Sequence, residues 1–181
     1  MRNSQPAAVL VAATLVLSSA AFAQQRPASP AKPVSPAKPA VARTADPFVG
    51  VWKLSAEKSK YESGGAPRSF VRTYEDRGGG TIFLTTDVTI PQGSTRAYLV
   101  YRRDGKPYPE AALGAESIRM VTVTAPDSRS ESMHVIVDGK TSDTPSTTTI
   151  SPDGLTMTQV VTGTNSRGKT FTNTVVYDRQ P

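Results

Sequence analysis

The chain contains no cysteine, one tryptophan and one histidine, and aromatic residues make up only 7% of it. Without cysteine there is no disulfide framework, no thiol nucleophile and no thiolate metal site. The lipid-bearing cysteine of a bacterial lipoprotein is also missing. Zinc takes three or four N, S or O ligands, so the lone His134 reads as a surface or structural residue and no metal or cofactor is expected. Long apolar runs are scarce as well. Residues 7–17 form one, shorter than the roughly 20 residues a membrane-spanning helix requires, and no second run of that kind occurs.

That short run belongs to an export signal. Arg2 gives a positive start, residues 7–17 an uncharged apolar stretch, and Ala21-Phe22-Ala23 the small-x-small pattern that a signal peptidase cuts. Residues 1–23 are therefore expected to be removed, leaving a soluble protein in a bacterial periplasm or outside the cell, beginning at Gln24. Residues 24–46 repeat Ser29-Pro30-Ala31-Lys32-Pro33 as Ser35-Pro36-Ala37-Lys38-Pro39, with almost no large apolar side chain. Such a segment buries too little surface to offset its ordering entropy. It reads as a disordered, solvated tether; the sharper alternative is a basic arm touching an anionic polymer of the cell envelope.

The charge of the chain sits largely in that tether. Of the 21 Lys and Arg residues, Arg2, Arg26, Lys32, Lys38 and Arg43 precede residue 47, as does Asp46 of the 15 acidic residues. The 16 basic and 14 acidic residues that remain in 47–181 are interspersed, without the clustered patch and stacking aromatics of a nucleic-acid surface. Nucleic-acid binding is not expected.

Residues 47–181 read as one domain of strands and turns. Apolar and β-branched runs at 48–54, 69–76, 81–90, 97–103, 117–124, 132–137, 147–150, 155–162 and 170–177 are separated by turn signals. These include Gly78-Gly79-Gly80, Pro91-Gln92-Gly93, Asp104-Gly105, Asp138-Gly139, Pro152-Asp153-Gly154 and Ser166-Arg167-Gly168. Residues 55–61 fit one or two helical turns capped by Ser55, and no long amphipathic helix is apparent. The pattern predicts an antiparallel all-β barrel or sandwich of nine or ten strands, expected to be monomeric. Along 170–178, Phe171, Asn173, Val175 and Tyr177 share one face and Thr170, Thr172, Thr174 and Asp178 the other. In the same way Met133, Val135 and Val137 alternate with Ser132, His134 and Ile136.

Four pieces taken in order resemble bacterial secreted lipocalin-like proteins of the calycin superfamily. They are Gly50-Val51-Trp52-Lys53-Leu54 with Lys58-Ser59-Lys60-Tyr61; Asp104-Gly105-Lys106-Pro107-Tyr108-Pro109; Ser151-Pro152-Asp153-Gly154-Leu155-Thr156-Met157-Thr158; and Gly163-Thr164-Asn165 through Val176-Tyr177-Asp178-Arg179. The resemblance implies an up-and-down barrel with a pocket, and no particular activity. It places Gly50, Trp52 and Arg179 at the closure of the barrel, Trp52 packing across the closed end against Arg179. The C-terminal end is similar to fatty-acid-binding proteins, whose last strand clamps a ligand carboxylate with an Arg-x-Tyr pair. Tyr177 matches the tyrosine, but Val175 stands at the arginine position. Tyr177 is then left with one hydrogen bond to a ligand, or with the role of a core tyrosine.

The leading expectation is an exported, non-enzymatic barrel holding a small apolar or amphipathic molecule, lined by Phe83, Tyr98, Val135, Met157, Phe171 and Tyr177. No catalytic set converges. A Gly-x-Ser-x-Gly elbow is missing, Glu75 and Asp76 point to opposite faces of a strand, and Gly78-Gly79-Gly80 precedes a strand where a phosphate loop opens a helix. The alternative is a protein-interaction module, such as a secreted protease inhibitor that inserts residues 24–46 into a cleft.

Overall fold

The computed structural model describes residues 45–141 and 144–181; the expected signal and all but the end of the 24–46 tether lie outside them. Among the described residues the fold is all-β, with eleven strands and a single 3₁₀ turn. In chain order the strands are β1 Gly50–Leu54, β2 Ser69–Asp76, β3 Thr81–Ile90, β4 Gly93–Arg102, β5 Asp104–Ala112, β6 Arg119–Asp127, β7 Ser130–Val137, β8 Lys140–Thr141, β9 Ser146–Ile150, β10 Thr156–Thr164 and β11 Thr170–Arg179. Every pairing is antiparallel. β6 pairs with β7 and β1 with β11, so ten strands close into an up-and-down barrel. The two-residue β8 is a spur on the end of β7, which pairs past it with β9.

β2 and β3 fall where the runs 69–76 and 81–90 place them. The tenth barrel strand, β5, has no counterpart among the apolar runs. It opens at the expected Asp104-Gly105 turn and carries Pro107 and Pro109, which sequence grammar reads as strand breakers. β4 pairs with β5 only through residues 110–112, so on that side no ladder bond is asked of either proline. β6 likewise runs on past Pro126, with a register shift between Thr124 and Asp127.

Residues 55–61 form the expected short turn, without the expected cap. One 3₁₀ turn spans Ala56–Lys58, and Ser55 makes no capping bond with its side chain. The Ser55 N–H instead donates to the Val176 carbonyl at 2.8 Å, and Lys60 exchanges backbone bonds of 2.7 and 2.8 Å with Thr174. Bonds to the outside of β11 thus take the place of bonds along a helix.

The closure of the barrel is built around Trp52. Trp52 is the register partner of Arg179, and Leu54 of Tyr177. The indole is fully buried and donates to the Phe48 carbonyl at 2.8 Å, while the Arg179 guanidinium lies 4.9 Å from the ring centre. Such a cation–π contact contributes about 0.5–1 kcal/mol at an exposed site and more when dry. Arg179 also donates to the carbonyls of Val49, Gly154 (3.1 Å) and Pro47 (3.4 Å), tying the chain entering β1 to the turn before β10. Gly50 is the residue this arrangement demands: its φ of 139° disfavours a side chain, and a Cβ there would stand 3.0 Å from Arg179 Nη2.

Candidate ligand site in the barrel interior

Side-chain size divides the interior into two halves. Trp52, Arg72, Thr86, Ala97 and Ala112 are successive register partners from β1 to β5, and directly paired residues share a face. One row around the barrel thus runs from the largest side chain to the smallest. At the end that carries the β2–β3 turn, Phe48, Trp52, Tyr74, Ile82, Leu99, Tyr101, Val123 and Ile150 fill the space. At the other end Val88, Thr95, Ala97, Ala112 and Ala115 leave a cavity of about 500 Å³, walled elsewhere by Phe70, Leu84, Val135 and Val161. Three exposed apolar side chains, Ile90, Leu113 and Ile118, lie in or beside the turns at this end.

Polar and apolar residues line the cavity in equal number, and one of the polar ones is a buried cation. Arg72 is only 8% exposed. It sits on the inward face of β2 between Phe70 and Tyr74, and its guanidinium carbon lies 5.3 Å from the Phe70 ring centre and 5.7 Å from that of Tyr177. Phe70 and Tyr177 meet edge to face at 5.4 Å. Among the described residues Arg72 makes one hydrogen bond, from Nη1 to the Tyr74 hydroxyl at 3.4 Å; Nε is buried without a partner and no carboxylate pairs with the group. Burying an ion costs several kcal/mol unless charge and hydrogen bonds offset it, and a guanidinium does not escape by losing its proton. Beside it the Tyr177 hydroxyl donates to Gln159 Oε1 at 3.4 Å, and Gln159 Nε2 to Ser146 Oγ at 3.2 Å. Burial pushes the hydroxyls of Tyr74 and Tyr177 up, Arg72 partly opposing it, so both stay protonated.

The packed half also buries a charge, and there it is matched. Glu131 is 1% exposed, accepts from the Tyr101 hydroxyl at 2.8 Å and is paired with Arg103 Nε. Arg103 in turn holds Asp46 and lies 4.8 Å over the Phe48 ring. Burial pushes the Glu131 carboxyl up, and Arg103 and Tyr101 pull it part of the way back. A wider depression of about 640 Å³ lies outside this plug, between Asp46, Asp76, Arg103 and Arg129. Asp46, read from sequence as the end of the tether, is thus bound into the barrel.

The expected lining residues separate on inspection. Val135 lines the cavity. Met157 and Tyr177 are fully buried register partners packed in the core beneath it. Phe171, opposite Gly163, borders a separate, more open depression of about 460 Å³ with Glu62 and Pro145. Phe83 and Tyr98 face outward, which corrects their expected place in the interior. Phe83 pairs with Val100, 51% exposed, while its neighbours Ile82 and Leu84 enter the core. The two rings stack outside the barrel at 6.1 Å under Arg77. His134 is exposed, and among the described residues no group of three or more His, Cys, Asp or Glu is placed to hold a metal ion. No described helix is long and apolar enough to cross a membrane.

Arg72 is the residue that sequence reasoning passed over. The signal was there: in Phe70-Val71-Arg72-Thr73-Tyr74 the alternate positions place an arginine on the same face as two aromatics. No protein-family model matches the chain, and no curated protein sequence matches it.

Proposed function

We propose that this protein is an exported, lipocalin-like barrel of the calycin type that holds a small amphipathic molecule in its open half and carries out no chemistry on it. The observation that supports this most is the cavity of about 500 Å³ inside a closed barrel, within the usual size range of small-molecule sites. Half of the residues around it are apolar, Leu84, Val88, Val135 and Val161 among them, and the loop that joins its lining residues Ala112 and Arg119 exposes Leu113 and Ile118. Export, with a cut after Ala23 into the periplasm or beyond, rests on the leader pattern of residues 1–23. The interaction-module reading depends on residues 24–46, nearly all outside the described residues, and nothing in the barrel favours it.

Native mass spectrometry of the protein purified from its own host is the test. A mass excess that disappears on denaturation, on a chain beginning at Gln24, is expected. A bare mass from every growth condition, with a crystal structure showing the interior filled by side chains, would overturn the reading.

A further inference from the structure

We propose that the rim of the open end docks on a lipid bilayer, with Ile90, Leu113 and Ile118 entering the boundary between headgroups and acyl chains. The proposal goes beyond the carrier reading and does not depend on what the cavity holds.

Two of these side chains are held out by the fold. Leu113 is 63% exposed and Ile118 70%, the two most exposed large apolar residues described. Their backbones are nevertheless pinned on both sides. The Leu113 N–H donates to the Arg96 carbonyl at 2.8 Å, and its carbonyl accepts from Thr95 Oγ1 at 3.0 Å. The Ile118 N–H donates to Asp138 Oδ1 at 2.8 Å, and its carbonyl accepts from the Asp138 N–H at 2.9 Å. Ile90, 44% exposed, joins them from the end of β3, one turn along the rim. Apolar side chains grouped and fixed in water mark a surface that something covers.

A bilayer fits that surface better than a protein does. Protein interfaces centre on Trp, Tyr and Arg, with Leu under-represented, and need about 1,000 Å² of joined area. Three aliphatic side chains in and beside two turns match neither demand, whereas in a bilayer each adds its own buried area. Charge points the same way. At this end Lys60 pairs with Glu62, Arg96 with Asp87 and Arg119 with Glu110. Arg68, Lys140, Arg167 and Lys169 are left without an acid among the described residues, against Glu116 and Asp138 (Asp143 lies outside those residues). From Gln24 on, the chain carries 20 of the 21 basic residues and all 15 acidic ones, an excess that favours an anionic lipid surface.

The test sediments the chain from Gln24 on with vesicles of phosphatidylglycerol and phosphatidylethanolamine, and with vesicles of phosphatidylcholine alone. Tighter binding to the anionic vesicles is expected. Leu113→Asp with Ile118→Asp should weaken it about 10- to 100-fold, with the unfolding midpoint unchanged because both side chains are exposed. Lys32→Gln with Lys38→Gln should weaken it by about 5-fold per charge at most, and only at low salt. A second readout gives orientation. Trp52 is the only tryptophan and is buried at the closed end, so Ile118→Trp adds a reporter at the rim and Leu155→Trp one at the closed end. Bilayers with brominated acyl chains are expected to quench the first and spare the second. No sedimentation with either vesicle, sedimentation unaltered by the two Asp substitutions, or quenching of Leu155→Trp alone would overturn the proposal. So would light scattering that shows a dimer split by those substitutions, which would give this face to a second copy of the chain.

Discussion

The two halves of the barrel bury one charged residue each, and they treat it in opposite ways. In the packed half Glu131 is met by Tyr101 and Arg103, and Arg103 by Asp46. In the open half Arg72 has two aromatic faces and one long hydrogen bond, no described carboxylate touches it, and Glu131 attracts it only from a distance. Both halves are woven from the same strands, so the difference lies in the side chains and not in the fold. Glu131 is held by direct contacts on two sides, whereas Arg72 has open space beside it. Stability and binding should accordingly separate along the barrel axis.

The largest effect belongs to the packed half. Trp52→Ala removes a fully buried ring from the closure and should cost about 3–5 kcal/mol in urea unfolding. Arg103→Met should cost about 3 kcal/mol at neutral pH by leaving Glu131 buried without its cation. That loss should shrink on acidification, because a protonated Glu131 no longer needs one. A loss independent of pH would mean that Arg103 acts through packing on Phe48 alone.

Glu131 itself gives the pH test. Its folded pKa is raised by burial, so the folded state holds the proton more tightly than the unfolded state. Its favourable contribution is therefore complete below the unfolded carboxylate value and lost as pH rises through the folded value. Unfolding midpoints of the wild type measured against Glu131→Gln should show the wild type losing ground as pH rises above the ordinary carboxylate range. An unchanging difference between the two proteins would contradict the raised value.

Smaller effects are expected elsewhere. Phe83→Ala breaks the outer stack with Tyr98 and should cost about 0.5–1.5 kcal/mol, leaving ligand binding unaltered. Arg72→Met should cost nothing, or stabilise the protein by up to about 1 kcal/mol, since it removes a buried cation that no carboxylate touches among the described residues. A clear loss of stability in Arg72→Met would place Arg72 in the structural class with Arg103 and erase the contrast between the halves.

How much of this was legible in the sequence follows from what periodicity can and cannot carry. The barrel class, β2, β3 and most turns could be read because β-branched runs and Gly or Asp-Gly turns act locally. β5 was hidden because Pro107 and Pro109 are tolerated only where β4 makes no ladder, a fact of register that no local pattern contains. Phe83 was misplaced because Ile82, Phe83 and Leu84 are all apolar, so alternation gives no phase there and aromatic size misleads. The resemblance points to an arginine at position 175 of the last strand, where Val175 stands, while the structure brings Arg72 of β2 beside Tyr177 of β11, with β1 between them. The pairing of β1 with both β2 and β11 makes them neighbours, and only closure of the sheet reveals it.

The most direct test of the central claim compares inside with outside. Binding of decanol, a small amphipathic probe, is measured to the wild type, to Ala97→Trp, which fills the open half, and to Phe83→Ala, which strips the outer face, each first checked for its barrel by circular dichroism. The account expects Ala97→Trp to abolish binding and Phe83→Ala to match the wild type. Undiminished binding by Ala97→Trp, or loss of binding in Phe83→Ala alone, would place the ligand outside the barrel and contradict it.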